Sequence, residues 1–491
     1  MSQRVQIKKL PTGVPGLDDV LGGGLPEFSF NLIAGPPGGG KTTLAHQIMF
    51  ANASPERPAL FVMICGEPPL KMLRYQQQFA FFNPALIPGS IRFLHLGAEL
   101  VAEGLEKVLE RIIQEVEATG PRLVFVDSFR AMTRRAVGLG GLDLQQFVER
   151  LSLHLTSWEA TTFLVGEYDD DTESSPIFTV ADGIVRLLQS AERNSIVRKV
   201  QVVKMRGQGQ IPGLHTLKIS EAGLRVYPRL PSPDAPHARP ALSSDRKKTG
   251  IVGLDEMLGG GIPAGYSTMI VGPSGSGKTI AATQFIREGI ERGEPGVIAV
   301  FEKRPDEYLT TGPDASLLQG LVDAGKLEML YLRPLDLSVD ETMEELAAAV
   351  KRVGARRLVI DSLSGLELAL APSFREDFRE SLYRMVGALL HLGVTVVMTA
   401  ELVESYAELR LSPHGISFLT DVIVLQRYVE IQGELRRFMV IAKMRGQAHD
   451  TRLRFYEIGP SGIVIGEATT EYQGLLVGNP RAVGGPGDGD R

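Results

Sequence analysis

The chain contains little cysteine and tryptophan and no long hydrophobic run, and each shortage excludes a class of protein. Its 491 residues include one cysteine and one tryptophan. A single cysteine, Cys65, cannot form an internal disulfide, and its apolar flanks favour a buried thiol in a reducing compartment. No apolar run approaches the roughly 20 residues of a membrane-spanning helix, and the N-terminus lacks a signal-peptide pattern. We therefore expect a soluble, cytoplasmic protein with no membrane partner.

Positive charge is also in short supply. The chain has 52 Lys and Arg against 58 Asp and Glu, so its formal net charge is −6. Nucleic-acid binding over a whole surface needs clustered cations, and the acidic balance argues against it, although a local basic channel stays open. The chain is too long for one hydrophobic core, which predicts two or three domains.

Two glycine-rich segments are the most informative feature that is present. Both match the pattern G-x-x-x-x-G-K-[ST], in which glycine backbones turn N–H groups toward phosphates, lysine reaches the β- and γ-phosphates, and the hydroxyl takes a Mg²⁺ position. Each follows an apolar run and precedes a helical pattern; the alternative is a glycine-rich turn with no ligand. The candidate residues for ATP are Gly35, Gly38, Gly40, Lys41, Thr42 and Thr43 in the first loop, and Gly272, Gly275, Gly277, Lys278 and Thr279 in the second.

The two loops belong to two copies of one long unit. The loop lysines are separated by 278 − 41 = 237 residues, and two Lys-Met-Arg-Gly segments are separated by 443 − 204 = 239. Offsets this stable indicate duplicated domains rather than a short-repeat array. Five prolines between residues 228 and 240 predict an extended linker. We therefore predict domains at 1–229 and 248–470, a linker at 230–247 and a flexible tail at 471–491.

Short β-rich runs alternate with longer helical patterns in both halves. Such alternation predicts an α/β fold, with a mostly parallel sheet flanked by helices on both faces. We expect nucleotide at the carboxyl ends of the strands.

Several acidic residues follow apolar strands and are candidates for metal binding and catalysis. Asp127 and Asp361 end such strands, where a carboxylate can hold Mg²⁺; helix N-capping is the alternative. Glu67 and Glu302 follow the strand after each loop helix and are candidate bases for activating water; the alternatives are a surface carboxylate or an N-cap before a helix that starts with proline. Glu167 and Glu401 each end a further strand, one in each half. Each could sense the γ-phosphate through a water or be an ordinary strand-end carboxylate, and the sequence leaves both roles open.

The Lys-Met-Arg-Gly segments supply candidate cations. Strand alternation would place Lys204 and Arg206, and likewise Lys443 and Arg445, on one side of a strand. Such a pair suits the negative charge on a transferring phosphoryl group. The alternative is a charged edge strand that deters aggregation.

Together these residues resemble the KaiC family of the RecA/DnaB superfamily over about residues 12–465. The resemblance implies two RecA-like P-loop NTPase domains that bind ATP and Mg²⁺. It also implies a homohexameric ring with ATP between subunits, reached by the Lys–Arg pair of the neighbouring subunit. In the family the ring has two tiers: the N-terminal domains hydrolyse ATP, and the C-terminal domains phosphorylate a serine–threonine pair. That pair aligns with Ser417 and Phe418.

The chain also departs from that family. Of the paired catalytic glutamates in the C-terminal half, Glu302 is retained and Lys303 replaces the second, whereas Cys65 and Gly66 occupy the paired positions in the N-terminal half. We expect an ATPase, with Ser417 as a candidate phospho-acceptor and a regulatory role in signalling with a partner not identified. The alternatives are a nucleotide-switched scaffold with vestigial catalysis and a DNA-acting recombinase or helicase-like ATPase.

Overall fold

The chain divides into two compact units, Met1–Arg229 and Leu230–Arg491, and each is treated by itself. The computed structural model describes residues 7–64, 69–127, 144–167, 176–192, 195–229, 245–302, 304–310, 315–332, 337–370, 378–402 and 419–483. Within these ranges no helix is long and apolar enough to cross a membrane.

The first unit is built on a nine-stranded sheet. Its order is β11-β10-β9-β8-β3-β7-β6-β4-β5, and the strands from β8 to β5 run parallel. The strands are β1 Lys9–Leu10, β2 Leu25–Pro26, β3 Phe30–Ala34, β4 Ala59–Met63, β5 Ile91–His95, β6 Leu123–Asp127, β7 Thr161–Gly166, β8 Gly183–Glu192, β9 Ser195–Met205, β10 His215–Ser220 and β11 Gly223–Tyr227.

Helices cover both faces of this sheet. Alternate residues of the parallel strands enter two separate cores, with Phe61 and Phe125 on one face and Val62 and Val126 on the other. Two buried faces explain why these strands read as continuous apolar runs in the sequence. The helices are α1 Leu17–Val20, α2 Lys41–Asn52, α3 Pro69–Gln76, α4 Gly97–Thr119, α5 Leu144–Ser157 and α6 Pro176–Val180, with a 3₁₀ turn at Pro84–Leu86.

The second unit repeats the architecture, with sheet order β16-β15-β17-β18-β14-β19-β20-β21-β22. The strands are β12 Arg246–Lys247, β13 Ile262–Pro263, β14 Ser267–Gly272, β15 Gly296–Val300, β16 Leu327–Tyr331, β17 Arg357–Asp361, β18 Thr395–Glu401, β19 Val422–Ile431, β20 Glu434–Met444, β21 Arg454–Gly459, β22 Gly462–Ala468, β23 Tyr472–Gln473 and β24 Arg481–Ala482. The helices are α7 Val252–Met257, α8 Lys278–Glu291, α9 Pro305–Thr310, α10 Ala315–Asp323, α11 Val339–Val353, α12 Leu363–Ala369 and α13 Phe378–His391, with a 3₁₀ turn at Leu475–Val477.

The predicted α/β fold is thus confirmed in both units. Strand β14 lies at the centre of the second sheet as β3 does in the first, and each is followed by a phosphate loop. The carboxyl ends of the parallel strands therefore meet at one edge of each sheet, where α/β proteins bind ligands.

Two segments differ from the predicted domain division. Arg246 and Lys247, assigned to the linker, form β12 and pair with β13 of the second unit. The predicted flexible tail instead folds as a hairpin of β23 and β24, in which Leu475 is buried against Val429 and Phe438. The contact of Leu475 with the sheet holds this segment in place. The sequence analysis missed it because the end of the chain is rich in glycine. The rest of the predicted tail, residues 484–491, lies outside the described residues.

Candidate functional site

The two phosphate loops have the same backbone conformation at two equivalent glycines. Gly38 and Gly40 have φ of 73° and 97°, and the equivalent Gly275 and Gly277 have 76° and 97°. These left-handed values are strained for any residue with a Cβ, which explains the glycines. Each loop leads directly into its helix, so that the first helical N–H groups face the loop. A helix N-terminus of this kind favours phosphate.

The loop lysines lie inside the curve of their own loops. Lys41 Nζ donates to the carbonyl of Pro36 at 2.8 Å, and Lys278 Nζ donates to Gly272 and Pro273 at 2.9 and 2.7 Å. Burial lowers the pKa of Lys278, while the charges of nearby carboxylates raise it. Those carboxylates belong to Glu401, Asp361 and Glu302. Three acidic groups from different strands thus converge on the second loop.

Each loop threonine contacts a strand-end aspartate. Thr42 Oγ1 lies 2.7 Å from Asp127 Oδ2, and Thr279 Oγ1 lies 2.8 Å from Asp361 Oδ2. Loss of hydration raises the pKa of Asp127 to about 6, opposed by the hydrogen bond from Thr42 and the charge of Lys41. Mg²⁺ in nucleotide sites takes hard oxygen ligands, often one or two carboxylates with phosphate and water. A hydroxyl and a carboxylate beside a phosphate loop fit that ion in both domains.

The candidate base Glu302 lies at the second site. It lies two residues after the end of β15, its side chain is exposed, and Ser362 Oγ donates to Glu302 Oε1 at 2.8 Å. This contact joins it to the residue after Asp361 and places it on the edge that carries the loop. Glu67 lies outside the described residues, as do Lys303 and Ser417, so their roles remain predictions.

The strand-end glutamates lie near the loops as well. The charge of Glu167 raises the pKa of Asp127, and the charge of Glu401 acts on Lys278. The Glu401 backbone N–H donates to Ser364 Oγ at 3.4 Å. Both carboxylates thus influence loop or metal-site groups, although their roles as γ-phosphate sensors stay predictions.

The cationic pairs differ from their predicted placement. Strands β9 and β20 end at Met205 and Met444, so Arg206 and Arg445 are the first residues beyond a strand rather than members of it. A β-bulge interrupts the pairing just before each lysine, and bulges commonly re-aim side chains next to active sites.

A strand-start aspartate fixes the backbone at each arginine. The N–H of Arg206 donates to the carbonyl of Asp182 at 3.0 Å, and that of Arg445 donates to Asp421 at 2.8 Å. The exposed Arg206 guanidinium also pairs with Asp182 Oδ1 at 2.9 Å. The sequence analysis missed these aspartates, although they recur at the same offset of 421 − 182 = 239 as the Lys-Met-Arg-Gly segments.

The lysine of each pair points away from the loop of its own domain. Lys204 Nζ donates to the carbonyls of Phe178 and Thr179, both at 3.3 Å, and Lys443 Nζ donates to that of Thr420 at 2.7 Å. These carbonyls precede β8 and β19, at the amino ends of the parallel strands.

Strand register gives the separation from the loop. Leu187 packs directly against Gly35 and pairs with Val200 on β9, whereas Lys204 lies four residues farther along that strand. Because of the bulge, Lys204 pairs with Ile184, three residues from Leu187 on β8, so at roughly 3.3 Å per residue the lysine is displaced by about 10 Å toward the amino end of the sheet. In the second unit Gln426 packs against the loop, and Lys443 is again four residues beyond its strand partner, Met439.

Duplicated α/β domains with these loops, hydroxyl–carboxylate pairs and strand-end acids define a P-loop NTPase of the RecA-like class. Comparison with known proteins narrows the class. The model of the family described as "ATPase: KaiC" matches residues 10–231 and again residues 247–470. The chain therefore belongs to the KaiC ATPase family, in its tandem two-domain form.

Curated relatives match along almost the whole chain. The circadian clock oscillator protein KaiC of Prochlorococcus marinus (strain MIT 9313) is 26% identical, over 98% of this chain and 97% of its own length. KaiC of Parathermosynechococcus lividus is 27% identical, over 98% and 90%. KaiC 1 of Synechocystis sp. is 26% identical, over 98% and 93%.

Proposed function

We propose that this protein is a ring-forming ATPase in which each domain binds ATP at its phosphate loop and a neighbouring subunit completes the site. The observation that carries the proposal is the position of the cationic pairs, whose lysines lie about 10 Å along the sheet from the level of their own loops. The cations lie toward the amino ends of the parallel strands, whereas the phosphate loop lies at the carboxyl ends, so they do not reach a phosphate bound in their own domain. They can neutralise a phosphate bound by a second copy of the chain that packs against the amino-end edge.

Each site residue then has one task. Backbone N–H groups of the loop and Lys41 or Lys278 would hold the phosphates, and Thr42 with Asp127 or Thr279 with Asp361 would hold Mg²⁺. The ion would supply charge neutralisation to the phosphates.

The reaction is phosphoryl transfer to water. Glu302 accepts a proton from the attacking water in the second site, and we assign Glu67 the same task in the first. The bond between the γ-phosphorus and the bridging oxygen breaks as the new P–O bond forms. The incoming Arg206 or Arg445 of a neighbouring subunit stabilises the charge on the transferring group.

Transfer to a serine is the finer part of the proposal. The second site uses the same chemistry on Ser417, whose hydroxyl replaces water and gives up its proton to Glu302. The relatives are circadian clock oscillator proteins by name, which motivates a regulatory output for this chain, through a signalling partner in the cytoplasm.

Hydrolysis by single-site variants tests the proposal. Lys41→Ala and Lys278→Ala should each remove the turnover of one domain, and the double variant should release no ADP above a no-protein control. Full ATP turnover in the double variant would place hydrolysis elsewhere. No turnover in the wild type, with ATP still bound, would favour a nucleotide-switched scaffold.

A further inference from the structure

Arg246, on the short strand β12, contacts two other parts of the second domain. Its Nη1 donates to the carbonyls of Leu258 and Gly261 at 3.0 and 3.1 Å, which begin and end the glycine turn after α7. Its Nη2 donates to Gln447 Oε1. The guanidinium therefore joins the glycine turn to the residue two positions after Arg445.

An arginine suits this connection because its planar guanidinium holds several acceptors in fixed directions. Hydrogen bonds from a charged donor are also roughly twice as strong as those between neutral groups. Arg246 is half-buried, and the three oxygens that accept these bonds are uncharged. These contacts therefore depend on direction rather than on the attraction of an opposite charge.

Other contacts hold the backbone at Arg445 from the side of the sheet. In addition to the bond from its N–H to Asp421, its carbonyl accepts from the hydroxyl of Tyr266 at 3.4 Å. The N–H of Asp450 donates to the carbonyl of Met257 at 2.9 Å. The Arg445 residue itself is exposed. Its backbone is thus fixed on several sides, whereas its side chain lies at the surface.

The first domain makes the same connection without an arginine. There Gln208 Nε2 donates directly to the carbonyls of Leu21 and Gly24 at 2.6 and 2.7 Å. These three residues are equivalent to the glutamine and the two carbonyl residues of the second domain, since 447 − 208 = 239 and 258 − 21 = 261 − 24 = 237. Lys9 takes the place of Arg246 and bonds a different carbonyl of the turn. A link that recurs by two different routes favours a role beyond packing.

We propose that Arg246 is a positioning residue that, through Gln447, holds the exposed Arg445 where it meets a nucleotide bound by a neighbouring subunit. The inference rests on the proposed function and deepens it, because it names the group that orients the arginine of the second domain. A displacement of about 1 Å, caused by a change far from the chemistry, can lower a rate by about 10²-fold.

The test measures second-site hydrolysis in full-length chains that all carry Lys41→Ala. Arg246→Ala and Gln447→Ala should each lower kcat by about 10- to 100-fold and leave the KM for ATP unchanged. The double variant should be no slower than Arg246→Ala, because both changes break one link. Gln319→Ala, on an exposed glutamine of α10, is the matched control and should keep the rate of the parent chain.

Two further readouts separate positioning from packing. Mixing Arg246→Ala subunits with Lys278→Ala subunits should restore turnover, because the former keep an intact loop and the latter an intact arginine. Damage to the loop of the same domain would not be repaired by mixing. Without nucleotide, amide hydrogen exchange over residues 445–450 should be about tenfold faster in Gln447→Ala than in the parent chain.

The outcomes distinguish this inference from the proposed function. Parent kcat in both Arg246→Ala and Gln447→Ala, with turnover lost in Arg445→Ala, would overturn the inference alone. A raised KM with unchanged kcat, or a loss that mixing does not repair, would mark Arg246 as a structural residue only. If Arg246→Ala does not fold, Gln447→Ala decides the question. An unchanged rate in Arg445→Ala would refute the role of that arginine and, with it, this inference.

Discussion

Acidification should destabilise the first domain through one buried side chain, His46. This residue of the loop helix α2 is fully buried, and its ring stacks on Phe61 with centroids 4.5 Å apart. Phe50 and Phe93 lie beside it at 6.5 Å. Among the described residues neither ring nitrogen has a hydrogen-bond partner. An imidazolium in this surrounding would be a buried charge without a counterion.

The magnitude follows from the pKa. Burial lowers the pKa of His46 from 6.5 to about 3. The folded protein favours the neutral form of His46. The contribution of this residue to the free energy of unfolding is therefore complete above pH 6.5 and is lost as the pH falls from 6.5 toward 3. At pH 5 the unfolded histidine is mostly protonated and the folded one is not. The free energy of unfolding therefore drops by about 1.5 × 1.36, or roughly 2 kcal/mol.

The sole tryptophan makes the assay specific to this domain. Trp158 lies just after α5 in the first unit, so urea unfolding followed by its fluorescence reports that unit. The loss of stability between pH 7.5 and pH 5 should be smaller by about 2 kcal/mol in His46→Phe than in the wild type. His95→Asn, on an exposed residue of β5, should behave as the wild type does. An equal loss of stability in wild type and His46→Phe would refute the reasoning.

Four further predictions address the sites and the second domain. Glu302→Gln should lower second-site hydrolysis by about 10²- to 10⁴-fold without weakening ATP binding, measured in the Lys41→Ala background; an unchanged rate would exclude it as the base. Arg206→Ala subunits should regain first-site turnover when mixed with Lys41→Ala subunits, because each supplies what the other lacks; no recovery would argue against completion by a neighbour. Intact-mass spectrometry after incubation with ATP and Mg²⁺ should reveal one added phosphoryl group that Ser417→Ala loses, and no gain in the wild type would end the autokinase proposal. Arg357→Met should destabilise the second domain by about 1–3 kcal/mol, because the carbonyls of Lys248 and Phe285 lose their donor while Glu294 keeps Lys247 as a partner, and a circular-dichroism melt equal to that of the wild type would contradict this.

Local sequence signals predicted the parts of the structure that local chemistry determines. The loops were visible because glycine is needed at left-handed positions such as Gly40 and Gly277. The strand ends at Asp127 and Asp361 were visible because the apolar run before each has the length of a buried strand.

Contacts between distant residues were not predictable in this way. Thr399 donates to Asp361 across 38 residues of chain, and nothing near either residue signals the other. The placement of Arg206 beyond a strand end depends on a bulge and on Asp182, both set by pairing with β8. The C-terminal hairpin depends on a small apolar pocket on β19 and β20 that only the folded sheet creates.

The number of ATP molecules bound per chain tests the central claim most directly. Equilibrium binding of labelled ATP to the full chain should give two per wild-type chain. It should give one in Lys41→Ala and one in Lys278→Ala, because each lysine serves only its own loop. One nucleotide per wild-type chain, or two in either variant, would contradict the account of two separate sites.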